Sequence, residues 1–152
     1  MDAKKNIGLI AHDACKLDMV NWVTAHAERL GRHCLFCTGT TGRLIQELFD
    51  ERFPDMAVKV TRFLSGPLGG DQQMGALIAA GELDVLFFFT DPMTMQPHDV
   101  DVKALIRLST IHNIVLACNR STADFVISSK FFDSQYDEVR PTFDEYINRL
   151  LP

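Results

Sequence analysis

Nowhere does the chain approach the ~20 consecutive apolar residues that span a bilayer, so no membrane partner is expected. Basic charge is also in short supply. Over 152 residues the formal net charge is -5, which leaves nucleic-acid binding without the basic face that phosphate neutralisation needs. Any anionic substrate must then be met by a few local cations or by main-chain N–H groups. Cysteine is scarce, and Cys15, Cys34, Cys37 and Cys118 do not form the pattern of a disulfide framework. Cys34 and Cys37 make a CxxC, but "HCLFCTG" reads as a strand, where residues three apart point to opposite faces and do not share a metal. All four are expected as buried thiols. The start, MDAKKNIGLI, has two lysines and a short apolar run, with no helical signal core or small-residue cleavage site after it. A cytoplasmic location is the expectation.

Linkers, low-complexity tracts and internal sequence repeats are absent, which points to one domain over residues 1–152. A hydrophobic fraction of 47% with 23% charged residues is that of a globular chain. A domain of this length buries roughly 70% of its unfolded surface.

What the sequence does have is rhythm. Strand-like apolar runs begin near Asn6, His33, Val58, Asp84 and Asn113, spaced 25 to 29 residues apart. That is close to the ~30 residues of a strand plus crossover helix. "DVLFFF" lacks polar alternation, as a central parallel strand covered on both faces should. Between the runs, apolar residues follow helical spacing: Met19, Trp22, Val23, His26 and Leu30; Leu44, Ile45 and Leu48; Met74, Leu77 and Ile78; Val102, Leu105 and Ile106. A last stripe, Phe143, Tyr146, Ile147 and Leu150, is expected to face the core or an interface. The reading is a single-domain, three-layer, doubly wound α/β sandwich with a five-stranded, mainly parallel sheet.

In open α/β sheets ligands sit outside the carboxyl ends of the strands. Here those ends empty into "AHDACK", "TGTTG", "SGPLGGD", "TDPMTMQPHDVD" and "NRSTAD", while plainer segments ("AERLGRH", "DERFPDMA", "AAGEL") supply the other edge. One composite polar site at the carboxyl edge is therefore predicted. Each loop alone has a plain alternative. "TGTTG" reads either as a turn with Thr40 or Thr41 capping a helix, or as an anion cradle of hydroxyls and N–H groups at a helix start. It is neither a Walker loop nor a GxGxxG fingerprint. Asp71 reads as a cap or as a base, since a helix start also favours the ionised carboxylate. In "QPHDVD", Asp99 or Asp101 caps the next helix, or His98 and Asp101 take part in chemistry. His12 and Asp13 end a strand or belong to the site, with Lys16 opening the helix beside them. No group has metal-ligand spacing, and there is no nucleophile elbow. General acid–base chemistry on a small phosphorylated molecule fits best.

With these residues assembled, the chain resembles methylglyoxal synthases. The resemblance rests on "AHDACK", "LFCTGTTG", "LSGPLGGDQQMGALIAAGELDVLFFFTDP", "PHDVDVKALIRL" and "NRSTADF", in order from Ile7 to Phe125. It implies the family's fold, flavodoxin-like in arrangement. It also implies a carbon–oxygen lyase that converts dihydroxyacetone phosphate to methylglyoxal and inorganic phosphate without metal or organic cofactor. Phosphate would be both product and inhibitor. Carried over, Asp71 is the base, removing a proton from the carbon that bears the phosphoester. His98 hydrogen-bonds the carbonyl and Asp101 assists proton transfer. His12 contacts the same oxygens, and Lys16, Thr38, Gly39, Thr40, Thr41, Ser65 and Gly66 hold the substrate and its phosphate. The resemblance further implies a homohexamer, with Arg149 the nearest match to an arginine that reaches a neighbouring subunit's site. Thr90 stands where the family usually has tryptophan, Val100 where it usually has proline, and Arg120 is unusual.

The competing reading is a non-catalytic anion-binding regulatory module of the same fold, as in carbamoyl phosphate synthetase. Such a module has no need of Asp71, His98 and Asp101 together. A flavodoxin or receiver domain fits less well, lacking a hydroxyl-rich loop or an acidic pair after the first strand.

Overall fold

The apolar run after Lys5 forms β1 (Asn6–Ala11), the middle of a five-stranded sheet in the computed structural model, which describes residues 1–94 and 99–149. The other strands are β2 (Cys34–Thr38), β3 (Val60–Phe63), β4 (Val85–Phe89) and β5 (Val115–Ala117). Their order is β3-β2-β1-β4-β5 and every pairing is parallel, so "mainly parallel" becomes wholly parallel. The layers are those of a flavodoxin-like arrangement, but the order is not the 2-1-3-4-5 of flavodoxin itself. β4 is buried at all five positions because it lies between β1 and β5 with helices on both faces.

Alternate residues of β1 and β4 feed two cores. Ile7, Leu9, Val85, Phe87 and Phe89 pack under α1 (Lys16–Ala25), α2 (Ala27–Leu30), α3 (Gly39–Arg52) and α6 (Arg120–Ser128). Ile10, Leu86 and Phe88 pack under α4 (Gly70–Ala79) and α5 (Asp99–Ile111). Trp22 anchors the first core, its ring 4.7 Å from that of Phe87 and its Nε1–H donating to Asp124 at 2.7 Å. Burying such a side chain removes ~2–3 kcal/mol of apolar exposure.

Several expectations change. The first helical stripe breaks at His26, which leaves helical geometry (φ −118, ψ 18), so Leu30 belongs to a separate turn, α2. α6 follows an asparagine cap: Asn119 Oδ1 accepts the Thr122 N–H at 2.9 Å. The last stripe is a single exposed turn, α7 (Asp144–Ile147), and Tyr146 and Ile147 pack into neither core; Leu150 lies outside the described residues. Of the cysteines only Cys37 is fully buried, and burial pushes its thiol far up; Cys15, Cys34 and Cys118 are half-buried. The chain after α6 runs back along the amino edge of the sheet, where Lys5 Nζ donates to the Ser134 carbonyl and Asn113 Nδ2 to that of Val139, both at 2.8 Å.

Candidate active site

The chain proceeds outward from β1 to β2 and β3, then crosses back to β4 on the other side of β1. The sheet's switch point is therefore at β1, and a crevice opens beyond its carboxyl end. A cavity of about 280 Å³ occupies it. His12 enters from the end of β1, Thr38 from β2, and Ser65 and Gly66 from the loop after β3. Three helices start at its rim: α1 with Lys16, α3 with Gly39, Thr40 and Thr41, and α4 with Asp71 in its first turn. Helix starts present unsatisfied N–H groups and a positive dipole end, and the added lysine makes the cavity suited to an anion. Lys16 Nζ also pairs with Asp13 at 2.5 Å.

Two glycines make this convergence possible. Gly39 has φ +40, and a Cβ there would lie 2.7 Å from Ser65 Cα, so α3 and the β3–α4 loop approach as closely as backbone allows. A Cβ on Gly70 would meet the Leu64 carbonyl oxygen at 2.0 Å. The loop itself is a 3-10 turn over Gly66–Leu68, with the Ser65 carbonyl accepting both the Leu68 and Gly70 N–H groups at 2.9 Å.

Capping assignments shift by a residue or two. Thr38, not Thr40 or Thr41, occupies the cap of α3, and its side chain makes no capping bond. Gly69 occupies the cap of α4, so Asp71 lies inside the helix and is 3% exposed. Capping thus does not account for a buried carboxylate at this position. Asp71 lines a second cavity as well, an apolar groove of about 360 Å³ between α4 and α5 whose far wall carries Asp101. Asp71 and Asp101 therefore share that groove, while Asp71 alone also faces the anion-suited cavity. His98 lies outside the described residues. Arg149 is not brought to this cavity; it is exposed, its guanidinium 4.0 Å from the Tyr146 ring centre.

Asp13, Pro67 and Phe88 line the cavity in addition. Pro67 stands within the glycine-rich run, so its signal was present; Phe88 depends on the pleat of β4. Among the described residues no group of three or more histidine, cysteine or acidic side chains could hold a metal. No helix among them is long and apolar enough to cross a membrane.

Residues 18–118 match the family described as the MGS-like domain. A methylglyoxal synthase from Leptospira interrogans serogroup Icterohaemorrhagiae serovar copenhageni (strain Fiocruz L1-130) is 52% identical over 147 residues, covering 97% of this chain and 95% of its own. The chain belongs to the methylglyoxal synthase family. Its relative from Maridesulfovibrio salexigens, also named methylglyoxal synthase, is 48% identical over 157 residues, with 99% and 100% of the two chains covered. The crystal structure of methylglyoxal synthase from Elizabethkingia anophelis NUHP1 aligns with a TM-score of 0.89 at 48% identity, over 100% of this chain and 95% of that one. Thr90, Val100 and Arg120 have plain places in the fold. Thr90 donates through its N–H and its hydroxyl to the Cys118 carbonyl, each at 3.3 Å. Val100 is exposed on α5, and Arg120 donates to Asp18 at 2.9 Å, joining α6 to α1.

Proposed function

We propose that the chain is a methylglyoxal synthase, a carbon–oxygen lyase that eliminates inorganic phosphate from dihydroxyacetone phosphate. The observation that carries this reading is a buried carboxylate, Asp71, in the wall of a cavity built from three helix starts and Lys16. An anion cradle alone would serve a regulatory module; a cradle with a base on its wall serves chemistry on the anion's carbon chain. The names of relatives at 48–52% identity support the same activity.

In this mechanism the phosphate sits against Lys16, Thr40, Thr41, Ser65 and Gly66, where N–H groups and hydroxyls are fixed before the substrate arrives. Electron balance corrects the carbon expected to lose its proton. Removing a proton from the phosphoester carbon puts the new double bond at that carbon, where it cannot expel the phosphate. Asp71 must instead take the proton of the hydroxymethyl carbon. The resulting enediolate passes a proton between its two oxygens, the terminal oxygen reforms a C=O, the double bond shifts toward the phosphoester carbon, and phosphate departs with the C–O electron pair. The enol left behind gains a proton on its terminal carbon to become methylglyoxal. His12 contacts the enediolate oxygens; by family resemblance His98 hydrogen-bonds the carbonyl and Asp101 assists the oxygen-to-oxygen transfers. No step calls for a metal or organic cofactor. Association into a hexamer, inhibition by phosphate and completion of a neighbouring site by Arg149 are part of the same proposal.

The test is to incubate the purified chain with dihydroxyacetone phosphate and measure methylglyoxal and phosphate together, with Asp71→Asn as control. Equimolar release by the wild type alone supports the lyase. Phosphate binding without release makes it a regulatory module instead.

A further inference from the structure

His12 is fixed at both ends. Parallel pairing of β1 with β4 sets Ala11 opposite Phe89, and the ladder continues one residue further with the His12 N–H donating to the Phe89 carbonyl at 3.1 Å. This register carries the next residues of the β4 strand across the imidazole. The main-chain N–H of Asp91 donates to His12 Nδ1 at 2.9 Å. The edge of the ring meets Phe88, with centroids 5.2 Å apart and planes at 85°, which limits rotation about the ring axis.

A main-chain N–H can only donate, so the Nδ1 facing it must carry a lone pair. The neutral imidazole then holds its one proton on Nε2. Either alternative state, with the proton on Nδ1 or on both nitrogens, sets N–H against N–H. The loop that presents the Asp91 N–H is built by Asp91 itself: its Oδ1 accepts the Met93 N–H at 2.9 Å, an Asx turn. Its carboxylate is held below the ordinary range first by the Thr94 side chain and then by the Met93 N–H. Thr90, tied to the Cys118 carbonyl, anchors the loop from the other side. The charged groups around His12 are Asp13, Lys16 and Asp71 across the cavity and Asp91 on the loop.

We propose that Asp91 is a positioning residue whose main-chain N–H, presented by the turn its carboxylate builds, locks His12 as the Nε2–H tautomer, so that His12 serves as a neutral hydrogen-bond donor to the substrate oxygens and never as the base. The claim about the reaction rests on the lyase reading above; the claim about the tautomer does not. It divides the work of the site. A donor that keeps its proton stabilises the enediolate without protonating it to a free enediol, and proton movement is left to the carboxylates.

The experiment uses the full chain labelled with ¹⁵N-histidine, and two-bond ¹⁵N–¹H correlation spectra that separate the Nδ1–H, Nε2–H and doubly protonated states. His12→Gln assigns the His12 signals by their loss. The expected result is the Nε2–H pattern at neutral pH, with and without inorganic phosphate. Asp91→Ala, lacking the turn acceptor, is expected to show mixed tautomers and a kcat about tenfold lower, short of the ~10²–10³ that losing one preorganised donor costs. Asp91→Asn retains an acceptor for the Met93 N–H and should restore the single tautomer, which keeps the test open if Asp91→Ala does not fold. An Nδ1–H or doubly protonated His12 in the wild type overturns the proposal. So does an Asp91→Ala protein whose activity falls while the tautomer stays pure. If the wild type makes no methylglyoxal yet shows the Nε2–H pattern, the lyase reading fails and the lock stands.

Discussion

His33 Nδ1 accepts the main-chain N–H of Lys5 at 3.1 Å, the same arrangement that Asp91 makes with His12. The proton of neutral His33 is thereby directed to Asp133, 3.3 Å from Nε2 on the chain after α6, where Arg29 also donates to that carboxylate at 2.8 Å. Phe132 closes the His33 ring edge-on at 4.9 Å. Burial lowers the affinity of His33 for a second proton, outweighing the Asp133 carboxylate that pulls the other way; Lys5 and Arg29 add to the lowering. With the folded value below the unfolded 6.5, the unfolded chain binds the proton more readily. The contribution is present in full above pH ~6.5 and is lost as pH falls through the lower, folded value. Thermal unfolding between pH 7.5 and 5 should show a declining Tm, and His33→Asn should flatten that decline. An equal slope in both proteins would assign the acid sensitivity elsewhere.

Glu138 works in the same direction at lower pH. Burial pushes its carboxyl up, but hydrogen bonds from the Met1 ammonium and Arg140 outweigh burial and bring it down to about 2. Its stabilisation exists above the ordinary 4.5 and disappears as pH falls from there toward 2. Glu138→Gln should therefore lower Tm at pH 7 and converge with the wild type near pH 2, a comparison that circular dichroism melts can make.

Asp71→Asn keeps the shape of the side chain and removes its capacity to accept a proton. Loss of a general base costs about 10²–10⁴ in rate. The variant should lose kcat on that scale while its melting temperature and its affinity for inorganic phosphate change little. A fall confined to KM would instead make Asp71 a binding group.

The sequence carried the architecture well because its signals are local. An unbroken VLFFF, apolar runs at a near-constant interval, and polar loops after each run are all visible in one dimension. Parallel strands bring every carboxyl end to one edge, and the loops after β1, β2 and β3 converge on the cavity there, while the loop after β5 does not line it. What stayed hidden depends on contacts between distant segments. Nothing near Asp91 announces that its N–H meets His12, because that requires the β1–β4 register. The groove that joins Asp71 to Asp101 exists only once α4 and α5 pack side by side. α6 carries just Ala123 and Ile127 as buried residues, too few to mark a helix by period, and its real signature is the Asn119 cap. The stripe in α7 has helical spacing, yet within one chain Tyr146 and Ile147 meet neither core, so of its two expected faces the core is excluded.

Gly39 joins fold to site most directly. Gly39→Ala would place a side chain at φ +40 and drive its Cβ to 2.7 Å from Ser65 Cα. Backbone strain of this kind is about 1–3 kcal/mol. Relief comes by moving the Ser65 loop, so the substrate cradle widens. Kinetics should show KM rising more than kcat falls, and phosphate should raise the Tm of the variant less than that of the wild type. Unaltered phosphate stabilisation would separate the glycine from the cradle.

The partition of the enediolate tests the cradle from its chemical side. The same intermediate can collapse by elimination, or be reprotonated at its central carbon while the terminal oxygen gives up its proton and becomes the aldehyde, to yield the isomeric aldose phosphate. Elimination needs the breaking C–O bond aligned with the π system, and so needs the phosphate held out of the enediolate plane. In the proposed mechanism Ser65 and Thr40, which line the cavity beside the 3-10 turn and at the start of α3, would hold it there. Ser65→Ala should therefore lower the ratio of methylglyoxal to glyceraldehyde 3-phosphate formed from dihydroxyacetone phosphate, as well as the total rate. Coupled assays for both products on one sample measure that ratio. A slower enzyme with an unchanged ratio would mean that Ser65 binds the phosphate without setting its angle, leaving the alignment to the main-chain N–H groups of α3.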